Sequence, residues 1–401
     1  MSATLIAAAS ALALAAPLHA KTIAVAAGEG AQTRLQEALI LAAPGDVVEL
    51  GAGRFVLTDG LSLDVKGVTL RGKGMDATVL DFTGQKGAGE GLLVTSDEVT
   101  LRDFAVENTK GDGIKSKGAD NVVYYRVRVT WTGGPNETNG AYGIYPVEST
   151  GVLIDGCKVS GASDAGIYVG QSAGITVRHS VAEGNVAGIE IENSRNALVT
   201  RNYVTRNTGG ILIFDLPNLP RMGGGNVRVE DNLVIANDTP NFAPKGNIVA
   251  SVPSGTGIMI MANDDVRIRG NTLSGHYTAQ IMVVTYPNAF KDPRYNPYPR
   301  HVQVGYNTFS TGNQNRDTLG RLQADPYPAG AFPKVLWDGL GGTQVFAPGA
   351  GLTAINLNFP KQGAGLDQAK PQPFDLPAFT GVPPMTAYVG APAALDNRIT
   401  P

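Results

Sequence analysis

A short motif returns along the middle of this chain at nearly constant intervals. In each copy a glycine precedes a run of alternating apolar residues, and the anchoring glycines are Gly113, Gly143, Gly166, Gly188, Gly210 and Gly257. The shortest steps between them are 22 and 23 residues, and the longer steps contain insertions. Each copy holds two short alternating runs with no helical period between them, which predicts strands. Such repeats build a solenoid, because one coil buries its faces only against its neighbours.

A repeat of this length fits one full coil of a parallel β-helix. Parallel crossover connections are right-handed as a rule, which gives the hand of the coil. Leucine-rich repeats have a similar period, but the regularly spaced leucines that they need are absent. We therefore predict an all-β chain that folds as a single-stranded right-handed parallel β-helix.

Two columns of stacked side chains separate the core from the surface. Isoleucine recurs directly after the anchoring position, at Ile114, Ile144, Ile167, Ile189, Ile211, Ile258 and Ile281. In the second run asparagine recurs at one register position, at Asn202, Asn232, Asn271 and Asn307. Stacked asparagines at a turn bond backbone groups and one another, so we predict an internal asparagine ladder. Cys157 falls in the same column, which predicts a buried and inert thiol.

The two ends of the chain differ from the coils. An apolar segment followed by small residues is typical of a signal peptide. Next, "TRLQEALILAA" predicts a helix capped by Thr33, with an amphipathic run from Leu35 to Ala43 that covers the open end of the stack. Beyond about Asn315 the period fades into a tail rich in proline and glycine. The expected division is 1–20 signal peptide, 21–66 N-terminal cap and first strands, 67–315 coils, and 316–401 irregular C-terminal wrap.

Composition limits the partners of the protein. A formal net charge of -3, with 17% charged residues, provides no basic field for nucleic acid. After the N-terminal segment no run is apolar for long enough to span a membrane. The single Cys157 forms no intramolecular disulfide. We expect an exported monomer in the periplasm or outside the cell.

The outward-facing residues of the first strand change character along the helix axis. Side chains alternate along a strand, so the second and fourth residues after each anchor share the outer face. The two outer rows are Lys115, Tyr145, Tyr168, Glu190, Leu212, Met259 and Met282, and Lys117, Val147, Gly170, Glu192, Phe214, Met261 and Val284. This order, from lysine through tyrosine and glutamate to apolar residues, predicts a ligand groove with exposed carboxylates. Insertions before Gly143 and Gly257 would wall it.

With these features the chain resembles the pectin-lyase superfamily of secreted right-handed β-helices. The shared features are the capping segment "APGDVVEL", the Gly-Ile coils and the asparagine ladder. More narrowly, runs such as "GIYPVES", "GIEIENS" and "GGILIFDLP" are similar to those of a bacterial group of exported parallel β-helix repeat proteins. The superfamily implies polysaccharide lyases, glycoside hydrolases, uronan epimerases or non-catalytic proteins.

The first hypothesis is an exported carbohydrate-active protein that binds an extended anionic polysaccharide in this groove; if it is an enzyme, the resemblance implies a polysaccharide lyase. β-Elimination next to a carboxylate needs a base, a proton donor and a cation on that carboxylate. The catalytic candidates are Lys115, Tyr168 and Glu190. The substrate-binding candidates are Lys117, Tyr145, Glu148, Phe214 and Asp215. Oxygen ligands for Ca²⁺ are available from Glu190, Glu192 and Asn193.

Three other functions stay open from the sequence. A glycoside hydrolase would pair Glu190 with Glu192, Asp164 or Asp215, since two carboxyl groups flank the scissile bond. A uronan epimerase is disfavoured, because "YPVE" keeps the proline and one acid of the epimerase motif but lacks its first acid and its histidine. The last alternative is a non-catalytic periplasmic protein that loads a metal or holds a surface polymer.

Overall fold

The chain winds into a parallel β-helix with three long sheets. The computed structural model describes residues 20–87, 89–310, 334–342, 345–346, 352–377 and 390–400. Each typical coil contributes one strand to each sheet, so residues one repeat apart pair in register, as Ile167 does with Ile189 and Ile189 with Ile211. The expected signal peptide, apart from its last residue, lies outside the described residues.

The three sheets are named here by their strands. Within the described ranges, sheet 1 has 12 strands, all parallel: Thr22–Val25, Val47–Leu50, Thr69–Arg71, Thr100–Arg102, Val122–Tyr125, Thr150–Asp155, Ala173–Arg178, Arg195–Thr200, Gly225–Glu230, Asp264–Arg269, Val302–Gly305 and Val345–Phe346. Sheet 2 has 10 described strands, all parallel: Gly53–Val56, Thr78–Asp81, Ala105–Glu107, Arg128–Thr130, Lys158–Ser160, Val181–Glu183, Tyr203–Thr205, Leu233–Ile235, Thr272–Ser274 and Thr308–Phe309. Sheet 3 has 12 described strands, of which the last is antiparallel: Leu61–Leu63, Leu92–Val94, Ile114–Lys117, Tyr142–Val147, Ala165–Gly170, Ala187–Glu192, Gly209–Phe214, Thr256–Met261, Ala279–Val284, Val335–Trp337, Thr353–Asn356 and Gln372–Asp375. Short 3-10 helices occur at Ile248–Ser251, Leu366–Gln368 and Ala393–Arg398.

One α-helix, Ala31–Leu41, covers the N-terminal end of the stack. Leu35 and Leu39 are fully buried, which confirms the capping helix. Its bounds differ from the prediction, because the helix starts after Gly30 and Thr33 lies inside its first turn. The backbone at Gly30 is left-handed, with φ of 71°, and this conformation favours glycine at the start of the helix.

The predicted asparagine ladder runs through the core. The side-chain Oδ1 of Asn202, Asn232, Asn271 and Asn307 each accepts a hydrogen bond from the backbone N–H of the residue at the same position one coil earlier, at 2.9–3.0 Å. Cys157 lies in this column and is buried, and burial raises the pKa of its thiol to about 12. The thiol is therefore inert, as the sequence indicates.

A second ladder, which the sequence reasoning missed, stabilises the turn after sheet 2. Asn185 Nδ2 donates to Asn207 Oδ1, and Asn207 Nδ2 donates to Asn237 Oδ1. His276 ends the ladder, because its Nδ1 accepts from the Asn237 N–H at 3.2 Å while Nε2 donates to the Val234 carbonyl. His276 therefore has a structural position, and its burial lowers its pKa to about 4.

A second apolar cluster lies outside the β-helix, on the outer face of sheet 3. Leu212, Phe214, Met259 and Met261 are buried there. Residues of the loops that follow sheets 2 and 3 pack over them: Leu216, Met222, Phe242, Val249, Val252, Phe290 and Tyr295. Removing apolar surface from water in this way stabilises the folded state by about 25 cal/mol per Å² of buried apolar area. The insertions thus cover this face, where the sequence predicted walls beside an open groove.

The coil stack continues beyond the point where the sequence period fades. Val335–Trp337 and Thr353–Asn356 extend sheet 3 in parallel, and Gln372–Asp375 adds an antiparallel edge. The boundary expected at residue 315 is therefore placed too early. Pairing in these coils depends on backbone hydrogen bonds, which strands without the Gly-Ile motif also make.

The last described segment, residues 390–400, packs on the outer face of sheet 1. Leu395 is buried against Leu153, and the Arg398 guanidinium donates to the Thr100 hydroxyl at 2.9 Å. Arg398 also donates to the backbone carbonyls of Glu98 and Asn121. The C-terminal end is thereby fixed to coils near the other end of the molecule.

Candidate functional site: a buried carboxyl cluster on sheet 3

The row that carries the predicted site residues has the predicted register. Lys115 pairs with Tyr145, and Tyr168 pairs with Glu190, which in turn pairs with Leu212. Successive strands are about 4.8 Å apart, so three strand steps separate Lys115 from Glu190 by roughly 14 Å. The sequence therefore placed these side chains correctly along the helix axis.

Three carboxyl groups come together in the middle of this face. Glu190 and Glu192 belong to the strand Ala187–Glu192, and Asp164 directly precedes the neighbouring strand Ala165–Gly170. Their exposed fractions are only 1%, 6% and 5%. The prediction of exposed carboxylates is therefore wrong, because the loops over sheet 3 cover the face to which both glutamates were correctly assigned.

Hydrogen bonds position two of the three carboxyl groups. Tyr168 donates from its hydroxyl to Glu192 Oε1 at 2.6 Å, and Asn247 Nδ2 donates to Asp164 Oδ2 at 3.2 Å. Glu190 differs, since its buried Oε2 has no hydrogen-bond partner within the described residues. A buried oxygen without a hydrogen-bond partner costs free energy, so this position of Glu190 opposes folding unless another contact offsets it.

Gly170 makes the contact between Tyr168 and Glu192 possible. The Tyr168 ring lies over Gly170, and a Cβ at that position would lie 2.4 Å from the ring Cε1. Any side chain larger than hydrogen would push the ring away from the sheet. The glycine that the sequence reasoning assigned to the outer row therefore has a defined function in the site.

Burial and mutual repulsion raise the pKa values of the cluster. Burial raises the pKa of Glu192 to about 7, and burial together with the Glu192 charge raises the pKa of Asp164 to about 7. Burial, with Asp164 and Glu192 nearby, holds the pKa of Glu190 well above its usual range. No ion pair within the described chain involves any of the three. The three carboxyl groups therefore keep their protons to a higher pH than free carboxylic acids do.

Three tyrosines pack together on the N-terminal side of the carboxyl groups. Ring centroids of Tyr142 and Tyr145, and of Tyr142 and Tyr168, are 4.5 Å apart, and Tyr145 meets Tyr168 edge-on at 4.9 Å. The Tyr142 hydroxyl faces Asp164. Tyr145 is only half-buried, whereas the carboxyl groups beside the tyrosines are buried. Sequence reasoning did not select Tyr142, although it stands directly before the anchoring glycine of its coil.

Lys115 lies at the outer end of the tyrosine group, away from the glutamates. Its Nζ is 4.9 Å from the Tyr145 ring centroid and forms ion pairs with Glu90 at 3.1 Å and Asp112 at 3.6 Å. Burial raises the pKa of Asp112 to about 6 even with Lys115 beside it. The sequence predicts Lys115 and Glu190 together as catalytic residues. The structure does not bring the Lys115 amine to Glu190.

The loop after strand Gly209–Phe214 closes the other side of the cluster. Asn193 Nδ2 donates to the Leu216 and Arg221 carbonyls at 2.8 and 3.0 Å, and its Oδ1 accepts from the Leu216 N–H at 2.8 Å. Asp215, also buried, accepts from the Gly223 N–H at 3.0 Å. The amide of Asn193 thus makes three hydrogen bonds that hold this loop.

The described residues offer no group of three or more carboxylate, histidine or cysteine side chains arranged to hold a metal. The calcium site expected at Glu190, Glu192 and Asn193 consists of two carboxylates and an amide, so this finding does not bear on it and the site stays a prediction. Three further predicted site residues are not part of the carboxyl cluster. Phe214 is fully buried, Lys117 is exposed, and Glu148 stands in a turn with φ of 57°.

Comparisons with known proteins agree with this architecture. The family model described as "Right handed beta helix region" matches residues 66–215 and 136–292, which together exceed half of the chain. A search of curated proteins by sequence gave no match. None of the helices in the described part of the chain is long and apolar enough to cross a membrane.

Two solved structures illustrate the similarity of fold. The A-module of mannuronan C-5 epimerase AlgE6 from Azotobacter vinelandii shares 18% identity at a TM-score of 0.52, covering 79% of this chain and 88% of that one. DFA-IIIase from Arthrobacter chlorophenolicus A6 shares 14% identity at a TM-score of 0.55, covering 80% and 91%. At such identities the likeness concerns the fold alone.

Proposed function

Because the chain belongs to the right-handed β-helix family, we propose that it is a carbohydrate-active protein whose carboxyl cluster acts on glycosidic bonds. The observation that carries the proposal is the group of Asp164, Glu190 and Glu192, buried together beside three packed tyrosines, with one glutamate oxygen unpartnered. Two similar folds belong to proteins whose names refer to mannuronan and to DFA-III, which supports a carbohydrate as the substrate class.

Glycoside hydrolysis needs one carboxylic acid that gives a proton and one carboxylate that acts on the sugar or on water. The functional groups in known enzymes lie about 5 to 9.5 Å apart. Glu190 and Glu192 are two residues apart on one face of a strand, so their Cα atoms lie about 6.6 Å apart and their side chains can place the carboxyl groups at such a spacing. Burial and the neighbouring carboxyl groups raise the pKa of Glu190 well above its usual range, so Glu190 would be the proton donor. Glu192, held by Tyr168, would be the nucleophile or base.

The charge of the site favours a neutral saccharide over an anionic one. Above about pH 7, where Asp164 and Glu192 lose their protons, the cluster has no paired cation and would repel a uronate, whose own carboxylate needs neutralising. Lys115 is already paired with Glu90 and Asp112, and burial raises the pKa of Tyr168 well above its usual range, which makes its phenol a poor base. A lyase acting on an anionic polysaccharide therefore has weaker support from this geometry. The half-buried Tyr145 offers a flat apolar face to a sugar ring.

The experiment compares neutral and anionic polysaccharides as substrates. Purified protein is incubated with inulin, dextran, xylan, alginate and pectate, while reducing ends and the absorbance of unsaturated uronates are measured separately. We expect reducing ends from a neutral polymer without unsaturated product. Glu190→Gln and Glu192→Gln should each lower the rate by about 10²- to 10⁴-fold, the usual worth of a general acid or base.

The exposed loop residue Glu137 provides the matched control, and Glu137→Gln should keep the wild-type rate. Unsaturated product from alginate or pectate would contradict the proposal and establish the lyase. Binding of a polymer without any product would instead support the non-catalytic alternative.

A further inference from the structure

A second concavity lies on the outer face of sheet 3, on the apolar side of the carboxyl cluster. Its volume is about 320 Å³. The floor is formed by side chains of three neighbouring strands and by a residue that follows the next strand, and the principal ones are Met259, Met261, Met282, Leu336 and Leu357. A cavity of roughly 150 Å³ is enough for benzene, so this one accommodates a molecule of about twice that size.

The cavity exists because the segment that covers it has small residues. Gly363, Ala364 and Gly365 line its outer side, followed by Leu366 of the short helix Leu366–Gln368. No side chain beyond a methyl group projects from the first three positions to fill the space. The methionines below are flexible and polarisable, so they adapt to ligands of different shapes.

The residues that line the cavity limit the charge of the ligand that it can bind. None of the described residues that line the cavity is lysine, arginine or histidine, and the one ionisable group among them is Asp338. Asp338 Oδ2 accepts from the Thr285 N–H at 2.6 Å, and Oδ1 accepts from the Leu340 N–H at 3.0 Å. The buried Thr285 hydroxyl lies beside this carboxyl group without a hydrogen bond of normal geometry. A carboxylate or phosphate ligand would meet a like charge and no cation.

We propose that this cavity binds a neutral molecule with a medium-length aliphatic body and one hydroxyl group. The aliphatic body lies on the methionine and leucine floor, where its burial is favourable. The hydroxyl group lies at the polar end and bonds the Thr285 hydroxyl, which makes no hydrogen bond of normal geometry to the described residues. A primary alkanol of about eight carbons matches both the volume and this single polar contact.

This site is separate from the carboxyl cluster and does not depend on the proposed glycosidic chemistry. Met259 lies two strand steps from Glu190, or roughly 10 Å along the row. Leu212 and Phe214, both fully buried, stand between the two sites and do not line the cavity. Loss of hydrolysis in Glu190→Gln should therefore leave alkanol binding unchanged.

The test uses 1-octanol as the probe and the methionine methyl groups as the readout. In protein with ¹³C-labelled methionine methyls, titration with 1-octanol should shift the signals of Met259, Met261 and Met282, each identified by a Met→Leu variant. Octanoate should bind at least tenfold more weakly, because Asp338 repels it. Thr285→Val should weaken octanol binding about fivefold, which corresponds to about 1 kcal/mol for one hydrogen bond, and Thr285→Ser should restore it.

Filling the cavity provides the decisive variant. Ala364→Trp should abolish the octanol-induced shifts, whereas Gln368→Trp, on an exposed position of the same segment, should leave them intact. The proposal is overturned if these methyls do not respond to octanol, if octanoate binds as tightly, or if Ala364→Trp binds like the wild type.

Discussion

Replacing Glu192 by glutamine tests whether the carboxyl cluster is protonated in the folded protein. Folded Glu192 has a pKa of about 7, against 4.5 for the unperturbed group. The unfolded chain thus releases this proton near pH 4.5, while the folded chain keeps it until about pH 7. Wild-type stability therefore falls as pH rises through this window, by about 3 kcal/mol at 1.4 kcal/mol per pKa unit. Glu192→Gln lacks this loss.

The assay is the melting temperature of both proteins at pH 4 and pH 8. An unfolding entropy of roughly 2.1 cal/mol/K per residue gives about 0.8 kcal/mol/K for this chain, so 3 kcal/mol corresponds to about 4 °C. We subtract the melting temperature of the wild type from that of Glu192→Gln at each pH. This difference should be about 4 °C larger at pH 8 than at pH 4. The exposed control Glu137→Gln should show no such change. A difference that is flat or falls with pH would refute a raised pKa at Glu192.

Three further perturbations address the parts that support the site. Gly170→Ala should displace the Tyr168 ring from Glu192 and lower hydrolysis at least tenfold, measured as reducing ends; an unchanged rate would show that this contact is dispensable. Asn232→Leu leaves several ladder groups unpaired and should cost at least about 3 kcal/mol in denaturant unfolding, whereas a loss below 1 kcal/mol would contradict the ladder's importance. His276 has a pKa of about 4 when folded and 6.5 when free, so its contribution of about 3 kcal/mol is present above pH 6.5 and lost as pH falls towards 4. His276→Asn should flatten this acid-side decline, and an unaltered pH profile would count against it.

The sequence predicts the interior of this protein better than its surface. Coil register follows from the spacing of Ile167, Ile189 and Ile211, because a period of one coil leaves little freedom in which residues stack. The same register places Tyr168 beside Glu190. Each of these statements concerns residues that are neighbours in consecutive repeats, and the pattern of the chain carries that information directly.

Burial of the carboxyl groups could not be predicted in the same way. It depends on where the loops fold back, and the contacts that decide this join residues of unrelated repeats. Asn247 reaches Asp164 across 83 positions of sequence, and Tyr295 donates to the Asp215 carbonyl across 80. No periodic signal marks such pairs. The sequence therefore identified the correct face of the sheet for Glu190, but it did not predict the loops that bury this face.

The β-helix itself explains how this chain retains a cluster that opposes folding. Three buried carboxyl groups with raised pKa values destabilise the folded state at neutral pH. In a solenoid each coil is stabilised mainly by the coils on either side, so the asparagine ladders and the isoleucine column support the strand Ala187–Glu192 independently of its outer face. In a protein with one shared hydrophobic core, the same destabilisation would affect the whole core. Here the inner face stabilises the strand, and the buried carboxyl groups on its outer face are therefore tolerated.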